Sequence, residues 1–109
     1  MASEQYSYVL TETALNDLDE TYEYIAVDLA NPDAAGDFAD ELEEKLTEIC
    51  KAPRTGRPVI NPYLKRKDIR RFLVKNYIGY YLVDEDTGTI VVLRIVYGKR
   101  NQDKILKTI

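Results

Sequence analysis

The chain has 109 residues, 45% of them apolar and 31% charged, with a formal net charge of −4. That is enough chain for one modest core and a single domain spanning residues 1–109, and no apolar run approaches the ~20 residues of a membrane helix, so no membrane role is expected. With no His and one Cys, Cys50, the composition excludes Ser-His-Asp and Cys-His catalysis, an internal disulfide and a soft-metal site, and no cofactor is expected. The start, Met1-Ala2-Ser3-Glu4-Gln5, lacks the basic residues and apolar stretch of a signal peptide. With the lone cysteine this implies a cytoplasmic location.

The net charge conceals a polarity. Residues 1–50 carry fourteen Asp and Glu against one base, Lys45. Residues 51–109 carry fourteen Lys and Arg against five acids. A basic half of that kind can meet a polyanion even though the whole chain is acidic.

In chain order, the alternation in Tyr6-Ser7-Tyr8-Val9-Leu10 predicts a first strand. Thr11 or Thr13 suits the N-cap of a helix over residues 12–30. Leu15, Leu18, Tyr22, Ile25 and Leu29, at steps of 3 and 4, predict its buried stripe. Asn31-Pro32 ends it and opens a second helix, with Asn as N-cap and Pro at the first helical position. Ala35, Phe38, Ala39, Leu42, Leu46 and Ile49 give that helix its core face. The pair forms a helical hairpin with an acidic outer surface.

Residues 51–64 hold Pro53, Pro58 and Pro62 and read as loop. Three strands follow, Ile69–Lys75, Tyr77–Val83 and Thr89–Tyr97, with a polar turn over Asp84–Gly88. The last strand is apolar on both faces except at Arg94, which places it centrally. A short tail helix fits Asn101–Lys107. The fold class is α+β in the order β-α-α-β-β-β. The hairpin packs on one face of a small, mainly antiparallel sheet, and the other face is expected to be partly open and to display the basic residues.

Those residues fall into groups: Lys65, Arg66, Lys67, Arg70, Arg71 and Lys75; then Arg94; then Lys99 and Arg100. Tyr63, Tyr77, Tyr80, Tyr81 and Tyr97 are interleaved with them. Arg and Lys with Tyr suit phosphates and bases, so Arg70, Arg71, Lys75, Tyr81, Arg94, Tyr97, Lys99 and Arg100 form the candidate binding set. Sheet propensity alone also accounts for tyrosines in strands. Arg94 demands more, because a charge within an apolar strand needs either an internal acid or an open site. RNA can be cut without metal or His by a base, an acid and a cation. Arg71, Lys75, Arg94, Lys99 and Arg100 are the candidates for that chemistry.

Three blocks stand out: Asp17-Leu18-Asp19-Glu20-Thr21-Tyr22-Glu23-Tyr24-Ile25-Ala26, then Ile69 to Val83, then Ile90 to Arg100. They resemble, in that order, the first-helix signature, the middle hairpin and the last strand of the RelE/ParE superfamily of type II toxin–antitoxin toxins. The resemblance implies a growth-inhibiting plasmid-stabilisation toxin held inactive by a cognate antitoxin, in a hetero-oligomer or with a homodimer. It implies one of two activities: inhibition of DNA gyrase, as in ParE-like members, or metal-independent cleavage of mRNA on the ribosome, as in RelE-like ones. RelE-type toxins place an Arg after the Tyr that opens the middle strand, where this chain has Ile78, and a Tyr beyond the terminal Lys-Arg, in a region without an aromatic that ends at Leu106. The resemblance therefore favours the ParE-like branch. A non-toxic binding module on the same fold is the third reading.

Overall fold

The structure, a computed structural model, describes residues 6–109. The run Met1–Gln5, read above for signal-peptide character, lies outside them. Strand β1 (Ser7–Leu10) leads into helix α1 (Glu12–Glu23), which continues as a π-helical turn (Tyr24–Asp28). Helix α2 (Pro32–Lys51) completes the hairpin. Strands β2 (Arg57–Pro58), β3 (Ile69–Val74), β4 (Tyr77–Asp84) and β5 (Thr89–Tyr97) follow, then helix α3 (Gln102–Leu106). No helix among the described residues is long and apolar enough to cross a membrane.

The caps explain the hairpin's boundaries. Thr11 Oγ1 accepts from the Ala14 amide at 3.1 Å and donates to the Leu93 carbonyl, tying the start of α1 to β5. Asn31 Oδ1 accepts from the Ala34 amide at 3.1 Å, with Pro32 opening α2 as expected. Between the helices, Ala30 sits at φ 50, a left-handed position that closes the connection.

The five strands form one sheet in the order β1-β5-β4-β3-β2. Only β1 runs parallel to its neighbour, while β5-β4-β3-β2 is an antiparallel succession. The α+β reading holds; the last strand is interior but second from the β1 edge, and β4 takes the central position. The fifth strand, β2, lies inside the stretch read as loop, and it is two residues long.

The apolar stripe of α1 is a correction. The residues facing the sheet are Ala14, Asp17 and Thr21, with Leu18 and Ile25 half-buried beside them. Leu15, Tyr22 and Leu29 are 48%, 42% and 54% exposed. The helix is rotated so that small side chains meet the sheet and Asp17 reaches its edge. The second helix buries Ala35, Phe38, Leu42, Leu46 and Ile49, with Ala39 half-buried.

The sheet has two apolar layers, which is the second correction. Hairpin residues pack with Phe72, Val74, Tyr81, Ile90, Val92 and Ile95 on one face. On the other, Leu64, Ile69, Ile78, Tyr80 and Val96 pack under Ile105 and Leu106 of α3. That face is covered in part, by α3 and the 59–64 loop, while Arg71 and Leu73 of β3 stay exposed on it, so the expectation of a partly open face showing a basic residue holds there. The second layer explains why β5 is apolar on both sides: Ile90, Val92 and Ile95 serve one layer, Leu93 and Val96 the other. At mid-strand Tyr80 pairs with Arg94 but Tyr81 with Val92, so Leu93 is an extra residue on β5. Such a bulge re-aims the neighbouring side chain.

Candidate partner-binding face

Five of the basic and aromatic residues singled out in the sequence are engaged internally. Arg94 is the clearest. Its Nε and Nη2 donate to the Asp17 carboxylate at 2.7 and 3.1 Å, and the pair is 15% and 9% exposed. Asp17 Oδ2 also accepts from the Ile95 amide at 3.0 Å. Strand β1 pairs with β5 only as far as Val92, so the carboxylate takes up a backbone donor on the edge that β1 leaves unpaired. Asp17 holds the Arg94 guanidinium above its ordinary pKa through that hydrogen bond, against the opposing effect of burial. Of the two readings of Arg94, the internal acid is the one observed.

Tyr81 is buried in the hairpin-side core, not displayed. Its hydroxyl donates to the Pro53 carbonyl at 2.8 Å and accepts from the Gly56 amide at 2.9 Å. Burial raises its pKa. Gly56 is required there, because a Cβ would lie 2.6 Å from the Tyr81 hydroxyl. Arg70 anchors the same loop through Nη1, which donates to the Gly56 carbonyl at 2.6 Å. Lys75 occupies the β3–β4 turn at φ 53, with Nζ 3.2 Å from Glu41 of α2. That contact lowers the Glu41 pKa. Tyr97, at 38% exposure, stacks edge-on against Tyr77 at 5.5 Å, and Tyr77 against Phe38 at 5.1 Å.

Three of the expected residues remain exposed without an acid partner among the described residues: Arg71 on β3, and Lys99 and Arg100 in the turn after β5. They are not brought together. Arg100 lines a small cleft with Tyr24, Tyr77, Tyr97 and Glu20 at the end of α1. Arg71 lines a groove of about 400 Å³ between the 57–61 loop and α3. There it joins Arg57, which the sequence reading passed over: Arg57 and Arg71 are cross-strand partners. The next residue across is Tyr80, whose hydroxyl donates to Gln102 Oε1 at 2.7 Å. Burial raises the Tyr80 pKa, and the nearby positive charge of Arg71 partly offsets this. Arg57 and Arg71 on the α3 side, and Lys99 and Arg100 beyond the C-terminal end of β5, thus form two separate patches.

The family model for the ParE toxin of type II toxin–antitoxin system, parDE, matches residues 8–102. No curated protein matches the chain. Among solved structures, a chromosomal ParDE toxin–antitoxin system from P. aeruginosa is 23% identical with a TM-score of 0.68, covering 87% of this chain and 98% of that one. The RelBE2 toxin–antitoxin complex from Mycobacterium tuberculosis is 21% identical with a TM-score of 0.62, over 86% and 99% of the two chains. A mutant of the E. coli toxin RelE in the free state is 16% identical with a TM-score of 0.59, over 96% of both. At these identities the structures share the fold, while the family model covers nearly the whole chain. The chain belongs to the ParE toxin family of type II toxin–antitoxin systems.

Proposed function

We propose that the chain is the growth-inhibiting member of its toxin–antitoxin pair and acts by binding DNA gyrase, with a cognate antitoxin neutralising it in the cytoplasm. One observation carries the choice of gyrase over mRNA: the residues a metal-free nuclease would use are dispersed and engaged. Of Arg71, Lys75, Arg94, Lys99 and Arg100, Lys75 holds Glu41 and Arg94 holds Asp17. Arg71 and Arg100 line different clefts. General acid–base catalysis needs its groups within hydrogen-bond reach of one phosphate. The two positions where the nuclease branch carries Arg and Tyr hold Ile78 and Leu106, and both side chains are buried in the second apolar layer. A binding surface has no such proximity requirement, so two separate basic patches serve it.

The test is induced expression together with purified protein. The gyrase reading expects loss of DNA supercoiling activity in a purified gyrase reaction and an SOS response in cells, with intact mRNA. Cleaved mRNA and immediate translation arrest with undisturbed supercoiling would overturn it in favour of the nuclease. Growth unaffected by expression without antitoxin would overturn both and leave a non-toxic binding module.

A further inference from the structure

Arg57 and Arg71 face each other directly across the β2–β3 ladder. Like charges in that relation destabilise a strand pair. Arg54, Arg66, Lys75 and Arg94 each hold an acid, and Arg70 holds carbonyl oxygens. Neither Arg57 nor Arg71 has an acid within ion-pair distance among the described residues. On the hairpin side of the two arginines, Lys45 and Glu48 line the adjoining cleft and their charges cancel. On the α3 side no acid lines the groove of about 400 Å³; Asp103 at its rim is taken by the Asn61 amide at 2.8 Å. Its outer bank carries Ile60, which is 95% exposed, and its inner bank Leu106. A repulsive pair at the short edge strand, beside an aliphatic side chain fully in water, is a combination that folding alone does not reward.

We infer that the groove between the 57–61 loop and α3 is a docking site for an acidic, aliphatic peptide segment of a protein partner, with Arg57 and Arg71 taking its carboxylates and Ile60 its apolar side chain. This deepens the toxin reading by naming the chemistry of a partner segment, and rests on that reading for the partner's biological role. Guanidinium forks pair with carboxylates bidentately, and an extended segment places alternate side chains on one side. The groove is unsuited to nucleic acid. Its one aromatic, Tyr80, is buried and hydrogen-bonded to Gln102, so no ring is presented for a base to stack on. The strongly acidic hairpin also opposes a long polyanion, whereas a short peptide with a few carboxylates meets only the local field.

The experiment is fluorescence anisotropy with the purified full chain and a fluorescein-labelled peptide of alternating Glu and Leu. Arg57→Glu and Arg71→Glu are each expected to weaken binding roughly tenfold or more, as for loss of a charged hydrogen bond. Ile60→Ala should weaken it several-fold, and Lys67→Glu, on a different cleft, should leave it unchanged. Arg57→Glu places an acid opposite Arg71, so the free variant should melt no lower than the parent while losing the peptide, which a purely structural role would not produce. Three results would each overturn the inference: affinity unaltered by both arginine reversals, an equal loss in Lys67→Glu, or displacement of the peptide by a single-stranded RNA of equal charge at lower concentration. A chain that arrests growth but fails this test loses the groove and keeps the toxin reading; a harmless chain that passes does the reverse.

Discussion

Asp17→Ala is the most severe single change the structure offers outside the apolar layers. It deletes three acceptor interactions at once, two from Arg94 and one from the Ile95 amide. It also leaves a guanidinium that is 15% exposed without its acid, with only the Thr108 hydroxyl as a side-chain partner. Breaking a buried pair from one side costs about 3–5 kcal/mol. A domain of this size has roughly 5–15 kcal/mol in total. At ~4–8 °C per kcal/mol the melting temperature should fall by at least about 12 °C. Asp17→Asn keeps an acceptor for the Ile95 amide and loses the charge, so it should cost less, about 1.5–3 kcal/mol. Urea denaturation followed by circular dichroism measures each variant. The cycle completed with Arg94→Ala and the double variant should show coupling of at least about 1 kcal/mol. Because the pair is buried, the cost should persist in 1 M NaCl, where an exposed pair such as Lys75–Glu41 is screened. Additivity within about 0.5 kcal/mol, or a cost below 1 kcal/mol for Asp17→Ala, would refute the view that this pair fastens α1 to the sheet edge.

Three further outcomes are expected. Gly79→Ala builds a Cβ into the Phe72 ring across the ladder, and overpacking of that kind costs about 1–3 kcal/mol, read as a lower urea midpoint with unchanged slope. Burial raises the pKa values of Tyr77, Tyr80 and Tyr81 above the ordinary value of 10.0, so the folded state holds these protons more tightly than the unfolded chain does. Their contribution to stability is therefore complete below pH 10 and lost as the pH rises through the folded values; a combined 295 nm phenolate and circular dichroism titration should show these rings ionising last, together with unfolding. Cys50 is 4% exposed and burial raises its thiol pKa, so alkylation by iodoacetamide at pH 8 should follow unfolding and be negligible in the native chain.

What the sequence made legible was whatever local chemistry encodes. Asn31-Pro32 announces a cap and a first turn, and the cap is formed. Gly88, at φ 67, closes the β4–β5 turn that the polar run marked. Period-based reading failed where a helix face is chosen by what it docks against. Leu15, Leu18, Tyr22, Ile25 and Leu29 obey a 3–4 rhythm, yet only Leu18 and Ile25 pack against the core, and the residues buried on the sheet are Ala14, Asp17 and Thr21. Small side chains allow close approach there, and the open edge of β5 requires an acceptor. Hydrophobic periodicity scores Asp17 and Thr21 as surface, so the rotation is invisible without the partner surface. Arg57 escaped for a different reason. A two-residue strand carries no period, and Pro58 marks it as loop, although proline is at home on an edge strand.

The charge polarity was visible in composition, but its use was not. Of the four ion pairs among the described residues, two join the acidic hairpin to the basic sheet, Asp17–Arg94 and Glu41–Lys75. The other two lie within the basic half, Arg54–Glu85 and Arg66–Asp68. A count of Lys and Arg therefore overstates what is available to a partner, because the fold buries Arg94 against Asp17 and ties Arg70 to loop carbonyls, while the exposed pairs of Arg54, Arg66 and Lys75 offset part of their charge at the surface. No spacing rule distinguishes Arg70, which faces the 53–56 loop, from Arg71, which faces the groove. The pleat does, since adjacent residues on β3 point to opposite faces. Which arginines can reach a partner follows from strand register and from the extra residue on β5. The candidate site is narrower than the basic half, and it is centred on Arg57 and Arg71 at one edge of the sheet and on Lys99 and Arg100 beyond β5.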